Sequence, residues 1–352
     1  MSSVVYLRYV RYVDVSKALS ATRKKLKLVS SFVRGRPIWC TWQVTYRCLF
    51  RCRICDYWKN QPAAGSELSL EEIARGSENI SRLGSFVISI GGGEPFLRDD
   101  LPDIIKALSL HHLPLVTTNG YLITRSLARE VFRSGLWGVS VSLDYCDPDR
   151  HDAQRGVKGA FERALNAIKI FSEERQSPLQ RVNLMAVLKD DNLGEMEGLI
   201  RLAEKHGAYF MVQPYCDIKS GKDVYRPEGK VSARLLELRK KHKNFLSNPL
   251  FLSRFDAALD GGVPGCVAGK AFFNIDNYGN VAMCVEALDK PVANILKNTP
   301  EEIMAGLKTA YKENSCRACW YNCRGEVESL YSLRGFIAAL PTIFASSGTP
   351  SE

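Results

Sequence analysis

Residues 38–55 read IWCTWQVTYRCLFRCRIC, an apolar run with strand character that leads into three cysteines. The spacing of Cys48, Cys52 and Cys55 is C-x-x-x-C-x-x-C. Three thiolates are one ligand short of a closed zinc site or a fully ligated cubane cluster. No His or fourth Cys lies nearby, and Cys40 on the strand is expected to point away from the strand's end. The spacing indicates a metal centre with one free position, and a structural zinc knuckle is the alternative.

Five further apolar runs follow the first one and alternate with helical patterns. The runs are FVISIGG, LPLVTTNG, WGVSVSLD, RVNLMAVL and AYFMVQPY. Six repeats of strand then helix predict parallel strands joined by right-handed crossovers. This pattern is typical of an α/β barrel, a partial barrel or an open doubly wound sheet.

Charge is distributed unevenly along the chain of 352 residues, which has a formal net charge of +10. The first 37 residues hold nine Lys and Arg against one acid, Asp14, so eight of those ten charges lie there. Such an arm predicts a local attraction to the phosphates of lipid or nucleic acid. The alternative is that these residues form a solvated helix face with no binding role. No other feature suggests an RNA-binding module, so nucleic acid is not an expected partner.

Eleven cysteines in a chain without a recognisable secretory signal favour a reducing compartment, where clustered thiols bind metal or do redox work. The late apolar stretch GFIAALPTIFA is shorter than the roughly 20 residues that a spanning helix needs, and we expect Pro341 to interrupt it. The predicted location is the cytoplasm.

Polar groups follow four of the predicted strands at the point where each strand ends. GGGEP (residues 91–95) follows the second strand, residues 117–120 end the third, and Ser140, Ser142 and Asp144 end the fourth. Because the carboxyl ends of parallel strands form the binding face, we expect these groups to converge with the cysteines on one mouth.

The three-cysteine motif together with GGEP resembles the radical SAM superfamily, over roughly residues 38–215. The resemblance implies a partial (β/α)6 TIM-like barrel and a [4Fe-4S] cluster whose open iron binds S-adenosylmethionine. It also implies that the reduced cluster cleaves this cofactor to a 5′-deoxyadenosyl radical, and that a reductant such as flavodoxin or ferredoxin supplies the electron.

Site residues follow from the same resemblance. It implies that Gly92, Gly93, Glu94 and the adjoining Pro95 bind the methionyl ammonium, and that Ser142 or Asp144 reaches the ribose hydroxyls. The residue before the third cysteine is often aromatic in this superfamily and packs the adenine, whereas here it is Ile54. We interpret that difference as a variation in the pocket.

The C-terminal third resembles the auxiliary-cluster modules called SPASM and twitch. A hairpin with Gly279 in its turn is expected to bring Cys266 close to Cys284. The resemblance implies one auxiliary [4Fe-4S] cluster bound by four of five cysteines, and the spacing does not decide which four. These five are Cys266, Cys284, Cys316, Cys319 and Cys323. A zinc ribbon is the alternative for this module.

The predicted organisation has four parts: a basic amphipathic arm (1–37), the barrel (38–250), the auxiliary-cluster module (251–330) and an apolar tail (331–352).

The remaining cysteines and histidines give weaker indications of function. Cys40, Cys146 and Cys216 are expected to be small buried hydrophobes, with a hydrogen-donor role open for Cys146 and Cys216, which lie near strand ends. His151, Asp152 and Arg155 are expected to order a loop or contact the cofactor. The other histidines, at 111, 112, 206 and 242, are expected at the surface.

The substrate is not specified by these motifs. Apolar and basic residues at both chain ends favour an amphipathic, lipid-derived substrate and a peripheral position at an anionic inner membrane surface. A peptide maturase or a small-molecule radical dehydrogenase is the alternative. We expect the 37 residues before the barrel to be too few for a leader-binding domain, which weakens the peptide hypothesis without removing it, because a separate protein could present the leader. A non-catalytic zinc-binding interaction protein is the alternative from another class.

Overall fold

The computed structural model of the protein describes residues 15–60, 62–63 and 66–344, with side chains described for residues 24–60, 62–63 and 66–339. Residues 1–14 of the predicted basic arm and residues 345–352 of the predicted tail lie outside this range.

Six parallel strands form the main part of one sheet, and each strand pairs with its neighbours in chain order. The sheet order is linear, with β6 at one edge, so the sheet stays open and the barrel is partial. All six strands predicted from the apolar runs are confirmed. They are β1 Trp39–Thr45, β2 Val87–Gly92, β3 Leu113–Thr118, β4 Gly138–Ser142, β5 Arg181–Leu188 and β6 Tyr209–Pro214.

Helices fill the crossovers and cover the outer face of the sheet. The helices before β6 are α1 Val15–Val33, α2 Leu70–Ser81, α3 Leu101–Ser109, α4 Arg125–Arg133, α5 Pro148–Arg155, α6 Ala160–Glu174 and α7 Met196–Lys205. Those after β6 are α8 Ser232–Lys241, α9 Pro249–Leu252, α10 Phe255–Leu259, α11 Pro300–Lys312, α12 Asn322–Leu330 and α13 Leu333–Phe344.

Local sequence explains how α2 begins and which side it buries. Ser69 Oγ accepts a hydrogen bond from Glu72 N at 3.2 Å, and the Glu72 carboxylate accepts one from Ser69 N at 2.9 Å. This capping box satisfies amide groups at the helix start and is worth about 1 kcal/mol. Ile73 and Ile80 are fully buried and pack into the apolar core between the helices and the sheet.

The C-terminal module extends the barrel sheet. Strand β7 (Phe272–Ile275) runs parallel to β1, and β8 (Asn280–Ala282) and β9 (Ala293–Asn294) follow as antiparallel neighbours. The predicted hairpin is therefore present between β7 and β8, with Gly279 in the left-handed region at φ 81°. The predicted boundary near residue 250 lies in the helical connection between β6 and β7, and the sheet continues across it.

The module also packs against α2. Asn79 Nδ2 donates to the carbonyl oxygens of Ile295 at 2.8 Å and Asn298 at 2.9 Å. A Cβ atom at Gly76 would lie 2.3 Å from the Ile295 side chain, so this glycine allows the close approach. Barrel and module are therefore packed as one body.

Helix α1 lies at the amino ends of the parallel strands. Lys24 Nζ donates to the carbonyl oxygen of Ser109, at the end of α3, at 2.6 Å, and Arg36 Nη1 reaches the carbonyl oxygen of Leu83, before β2, at 3.4 Å. The Phe32 ring lies 4.8 Å from the Tyr331 ring and 6.0 Å from the Phe336 ring. Both ends of the described chain therefore meet at this end of the barrel.

Three expectations about single residues were wrong. Helix α13 extends through Pro341, so the proline does not interrupt it. His112, between α3 and β3, is fully buried, and its Nδ1 accepts a hydrogen bond from Phe86 N at 3.3 Å. His242 is also buried, at the end of α8 and close to Glu197. Within the described residues, no helix has both the length and the apolar character that crossing a bilayer demands.

Candidate active site and auxiliary cysteine site

A cavity of about 170 Å³ opens at the carboxyl ends of the six parallel strands. Residues at or just beyond the carboxyl end of each of the strands β1 to β6 contribute to its wall. Among them are Cys48, Cys52, Cys55, Gly92, Gly93, Glu94 and Ser142, which the sequence analysis singled out. Pro95 and Asp144 are near these residues in sequence but do not line the cavity.

The three thiols lie on the irregular loop after β1 and are half-buried. Burial raises the pKa of Cys48 to about 11, and the backbone N–H of Phe50, 3.4 Å from the thiol sulfur, opposes that rise. Burial also raises the pKa of Cys52, against the positive charge of the neighbouring Arg155. Because metal ligation requires thiolates, loading this loop with metal would release protons.

The glycines after β2 are required by backbone packing against the cysteine loop. A Cβ atom at Gly92, where φ is 113°, would lie 2.1 Å from the carbonyl oxygen of Thr45. A Cβ atom at Gly93 would lie 2.1 Å from the carbonyl oxygen of Arg47. Gly93 N donates to Thr45 O at 2.7 Å and Glu94 N donates to Arg47 O at 2.8 Å. The GGGEP backbone thus holds the start of the cysteine loop directly.

Glu94 faces the cavity from a buried position. Its Oε1 accepts hydrogen bonds from Thr118 Oγ1 at 2.8 Å and Phe96 N at 3.2 Å, and its Oε2 accepts one from Asn119 N at 2.7 Å. Burial raises the pKa of Glu94 to about 7, although these three hydrogen bonds favour the ionised form. The carboxylate is therefore fixed in orientation, and a cation in the cavity would favour its ionised form.

Asp144 and Arg155 form a buried pair behind the cavity. Arg155 Nη2 donates to Asp144 Oδ2 at 2.7 Å, and Val187 N donates to Asp144 Oδ1 at 2.9 Å. The Asp144 side chain is fully buried, whereas Arg155 and Ser142 line the cavity. Asp144 therefore acts on the cavity through Arg155, and Ser142 is the more direct contact of the two predicted ribose ligands.

The segment HDAQR lies within α5, and its residues organise the surrounding backbone. His151 Nδ1 accepts a hydrogen bond from Asp144 N at 3.3 Å, and burial lowers the pKa of His151 to about 3. The Asp152 carboxylate accepts hydrogen bonds from Gly159 N and Phe161 N at the start of α6. Asp152 thereby orders the loop between α5 and α6, while Arg155 alone of these residues lines the cavity.

Apolar and aromatic side chains complete this cavity. Ile54 is buried and lines it, where the resemblance implies contact with adenine. Phe50, Tyr57 and Tyr215 supply aromatic surface around it. Such a lining limits the access of water to reactive species.

The five cysteines of the module come from both sides of the β7–β8 hairpin and from the segment around the start of α12. Cys266 precedes β7 and Cys284 follows β8, while Cys316 and Cys319 lie between α11 and α12, and Cys323 is in the first turn of α12. Burial raises the pKa of Cys284 to about 11, with further contributions from Cys266 and Cys316. Burial raises the pKa of Cys323 to about 12, with contributions from Cys284 and Cys266. Burial also raises the pKa of Cys319, with contributions from Cys323 and Cys266. All five thiols are therefore electrostatic neighbours.

A buried arginine, which the sequence analysis missed, connects two of these cysteine segments. Arg324 Nη1 donates to the carbonyl oxygen of Cys319 at 2.7 Å, and its Nη2 donates to that of Val263 at 2.6 Å. Its Nε donates to Glu328 Oε1 at 2.8 Å, and the same carboxylate oxygen accepts from Val267 N at 3.1 Å. The pair binds the loop before β7 to the loop before α12. The only sequence feature that could have indicated this role for Arg324 is its position directly after Cys323.

Asn314 makes a second connection. Its Nδ2 donates to the carbonyl oxygen of Cys266 at 2.9 Å, and its Oδ1 accepts from Cys316 N at 3.0 Å. The backbones that carry Cys266, Cys316 and Cys319 are therefore held in place by side chains that are not themselves metal ligands.

One wall of the cavity comes from the module. Tyr321, which precedes α12, lines the cavity together with Cys216. The Cys216 sulfur lies 3.6 Å from the carbonyl oxygen of Ala318. Lys219 Nζ lies 4.5 Å from the centre of the Tyr57 ring and 5.8 Å from that of Tyr321. The two cysteine sites thus share a wall, which no local sequence pattern indicates.

The other two cysteines outside the motifs are packing residues. Cys40 is fully buried on β1. Cys146 is half-buried, packs beside Gly198 and does not line the cavity. Of the three cysteines expected to be small buried hydrophobes, Cys216 therefore differs because it borders the cavity.

Zinc ions and iron–sulfur clusters require different arrangements of their thiolate ligands. Within residues 15–60, 62–63 and 66–344, no group of three or more His, Cys, Asp or Glu side chains is arranged to hold one metal ion. A zinc ion gathers its thiolates at about 2.3 Å around one point. A cubane cluster binds each thiolate through a different iron atom, so its ligands are spread more widely.

Comparisons with known proteins agree with this geometry. The Radical SAM superfamily matches residues 42–203. Mycofactocin maturase MftC of Mycolicibacterium smegmatis is 28% identical over an alignment of 322 positions that covers 85% of this chain and 80% of the relative. Fe-coproporphyrin III synthase of Methanosarcina barkeri is 26% identical over an alignment of 365 positions that covers 90% of each chain.

Solved structures share the fold. Streptococcus suis SuiB bound to precursor peptide SuiA superposes with a TM-score of 0.60 at 17% identity, covering 82% of this chain and 69% of SuiB. The protein anSMEcpe with bound AdoMet and Cp18Cys peptide gives a TM-score of 0.60 at 16% identity, covering 88% of this chain and 99% of anSMEcpe.

Three independent observations therefore coincide: the cysteine loop after β1, the partial barrel whose strand ends surround one cavity, and the match to the superfamily. The alternative of a non-catalytic zinc-binding protein is not retained. Residues 42–203 are the part of the chain that matches the Radical SAM superfamily, and the chain is a radical SAM enzyme.

Proposed function

We propose that the enzyme modifies a peptide or protein segment, with S-adenosylmethionine bound in the cavity beside a [4Fe-4S] cluster held by Cys48, Cys52 and Cys55. When bound and reduced, this pair supplies a 5′-deoxyadenosyl radical that removes a hydrogen atom from the substrate. The thiols, the open cavity and the superfamily match support the cofactor assignment.

The chain's own groups would position the cofactor. Glu94 and the backbone of Gly92 and Gly93 face the cavity and suit the methionyl ammonium, because a fixed carboxylate and unblocked backbone can both bind a cation. Ser142 suits a ribose hydroxyl, and Asp144 supports it indirectly by orienting Arg155. Ile54 suits the adenine face.

An auxiliary [4Fe-4S] cluster would occupy the module, bound by four of Cys266, Cys284, Cys316, Cys319 and Cys323. Arg324 and Asn314 support this assignment because they hold the backbones that carry the cysteines. The shared wall at Tyr321 would bring a substrate close to this cluster, for binding or for electron relay.

One observation carries the choice of a peptide substrate: a groove of about 630 Å³ adjoins the cavity and shares Cys48 with it. With the cluster and S-adenosylmethionine bound, the cavity of about 170 Å³ would leave room for only the reacting part of a substrate. A long substrate would place one residue in the cavity and its neighbours along the groove, beside Arg47, Arg51 and Lys59. SuiB and anSMEcpe, which share the fold, were solved with peptides.

A small-molecule substrate is the second candidate. The alignment with Fe-coproporphyrin III synthase over 90% of both chains favours it. The lipid-derived substrate favoured by the chain ends has less support, because α1 and α13 lie at the opposite end of the barrel from the cavity.

The test begins with anaerobic purification and cluster reconstitution, followed by iron and sulfide counts. About eight irons per chain are expected for two cubanes, and Cys48→Ala with Cys52→Ala should remove about four. Cys146→Ala is the matched control and should remove none. 5′-Deoxyadenosine formed from S-adenosylmethionine and dithionite reports the cofactor chemistry.

Substrate class needs a separate measurement. Peptides encoded beside the gene, prepared with deuterated side chains, should transfer deuterium to 5′-deoxyadenosine and change in mass. Deuterium transfer from a tetrapyrrole or another small molecule, with none from any peptide, would favour the second candidate.

A further inference from the structure

Helices α1 and α13 form one exposed apolar surface, although they come from opposite ends of the chain. Phe32 links them by packing on Tyr331 and Phe336. The terminal-helix surface comprises Leu26, Val29 and Val33 of α1, which are 65%, 57% and 77% exposed, and Leu333, Phe336 and Ile337 of α13, which are 76%, 37% and 56% exposed. Isolated exposed apolar side chains are common on protein surfaces, whereas these six lie on two helices that are in contact with each other.

The two segments that carry this surface have charges of a single sign. Residues 15–37 and 331–344 contain eight Lys and Arg and no Asp or Glu. Lys27, Arg34 and Arg334 are exposed beside the apolar side chains. A second copy of this surface would bring like charges together, whereas a layer of lipid phosphates would neutralise them.

The surface is at the far end of the barrel from the active-site cavity. Its helix α1 contacts the residues that precede β2 and β3, whereas the cavity lies at the carboxyl ends of the strands. Strand β5 has eight residues, so the two ends are roughly 20 Å apart. A molecule bound at the terminal-helix surface would leave the cavity mouth free.

We infer that the terminal-helix surface docks on an anionic lipid bilayer, with the barrel mouth turned away from the membrane. The apolar side chains enter the boundary between headgroups and acyl chains, and the Lys and Arg side chains contact lipid phosphates. This inference is independent of the substrate proposed above. It explains why two distant segments, each lacking acidic residues, meet on one face.

Co-sedimentation of the full chain with vesicles tests the inference. Binding is expected to vesicles of phosphatidylcholine mixed with phosphatidylglycerol at low salt, and to fall as salt rises. The double variant L26E/I337E should bind at least about tenfold more weakly. Val224→Glu is the matched control because Val224 is equally exposed, at 65%, but lies beyond β6 near the mouth. The control should bind like the parent chain.

Folding and orientation are checked separately. Both variants should keep the parent's thermal unfolding midpoint, because the changed positions are exposed. On vesicles, hydrogen exchange should slow in residues 24–36 and 331–339 and stay unchanged in residues 216–226. No binding to the anionic vesicles, or equal loss in V224E, would overturn the inference. A vesicle-independent dimer that L26E/I337E dissociates would also overturn it, by assigning the surface to self-association.

Discussion

The guanidinium of Arg324 donates a 2.7 Å hydrogen bond to the carbonyl oxygen of Cys319, and it is fully buried beside the auxiliary cysteines. Burial acts to lower the pKa of Arg324, but Cys266, Glu328 and Cys319 together raise it above its usual value, because negative charge nearby favours the charged guanidinium. The pairing works in both directions, since the same positive charge favours thiolates and reduced iron–sulfur clusters.

Substitution of Arg324 should therefore affect the auxiliary cluster selectively. In R324Q the iron content is expected to fall from about eight toward about four per chain. Any auxiliary cluster that remains should have a more negative reduction potential, because a buried positive charge has been removed. Iron assays and a potentiometric titration followed by electron paramagnetic resonance measure the two effects.

Arg317→Gln provides the control for Arg324. It removes an exposed positive charge from the same cysteine segment, where Arg317 donates to the carbonyl oxygen of Gly261 at 2.7 Å. R324K should retain the potential better than R324Q because it keeps the charge. An unchanged iron content and potential in R324Q would show that Arg324 is not part of the cluster's surroundings.

Gly93→Ala should disable the first cysteine site. The new Cβ would lie 2.1 Å from the carbonyl oxygen of Arg47, so the start of the cysteine loop would have to move. We expect loss of about four irons and of 5′-deoxyadenosine formation, while the auxiliary cluster is kept. Gly91→Ala is the matched control, because a Cβ there meets nothing within 4 Å. Equal activity of the two variants would refute the packing argument.

Removal of Arg155 should cost stability because it leaves Asp144 buried and poorly paired. Among the residues that the structure describes, the Val187 N–H would be the one remaining partner of the Asp144 carboxylate oxygens. R155A is expected to lower the free energy of unfolding by about 3–5 kcal/mol in urea denaturation. The double variant R155A/D144N should recover part of that loss, since the buried charge is gone. A double variant no more stable than R155A would contradict the explanation.

Glu326 should make stability depend on pH. Burial raises its pKa from 4.5 to about 7, even though Asn248 N donates to both carboxylate oxygens at 3.1 and 3.2 Å. The folded state therefore holds this proton more tightly than the unfolded state. The stability it contributes is complete below pH 4.5 and is lost as pH rises to about 7, by about 3 kcal/mol.

Glu326→Gln keeps a neutral acceptor at every pH, so its stability relative to the parent chain should increase from pH 5 to pH 8. The comparison between variants is needed because Glu94 also has a raised pKa and buried His112 has a lowered one. Urea denaturation across this range measures the difference. Glu228→Gln, at an exposed loop position, should track the parent chain throughout. A constant difference between E326Q and the parent would count against a raised pKa at Glu326.

Much of the fold was predictable from local patterns. The six barrel strands, the β7–β8 hairpin with its left-handed Gly279 and the three cysteines after β1 depend on apolar runs, turn residues and short spacings. These signals act within one element or one turn, so a linear sequence displays them. The convergence of Cys48, Glu94 and Ser142 on one cavity also follows from strand order, because parallel strands end on the same side.

Other parts of the site could not be read in that way. The Asp144–Arg155 pair was missed because Asp144 was predicted to reach the ribose and Arg155 to order a loop or contact the cofactor, and only burial shows which one reaches the cavity. His112 was predicted at the surface because nothing in the local sequence indicates its hydrogen bond to Phe86, which directly precedes β2.

The sequence by itself determined which elements form, where the first cysteine site lies and which cofactor chemistry the chain can support. Tertiary structure alone decided that Tyr321 closes the cavity, that Arg324 joins Val263 to Cys319, and that α1 meets α13. The physical reason is the separation along the chain between the residues that interact. Periodicity and turn chemistry act between near neighbours along the chain, whereas these contacts arise when packing brings together segments that are distant in sequence.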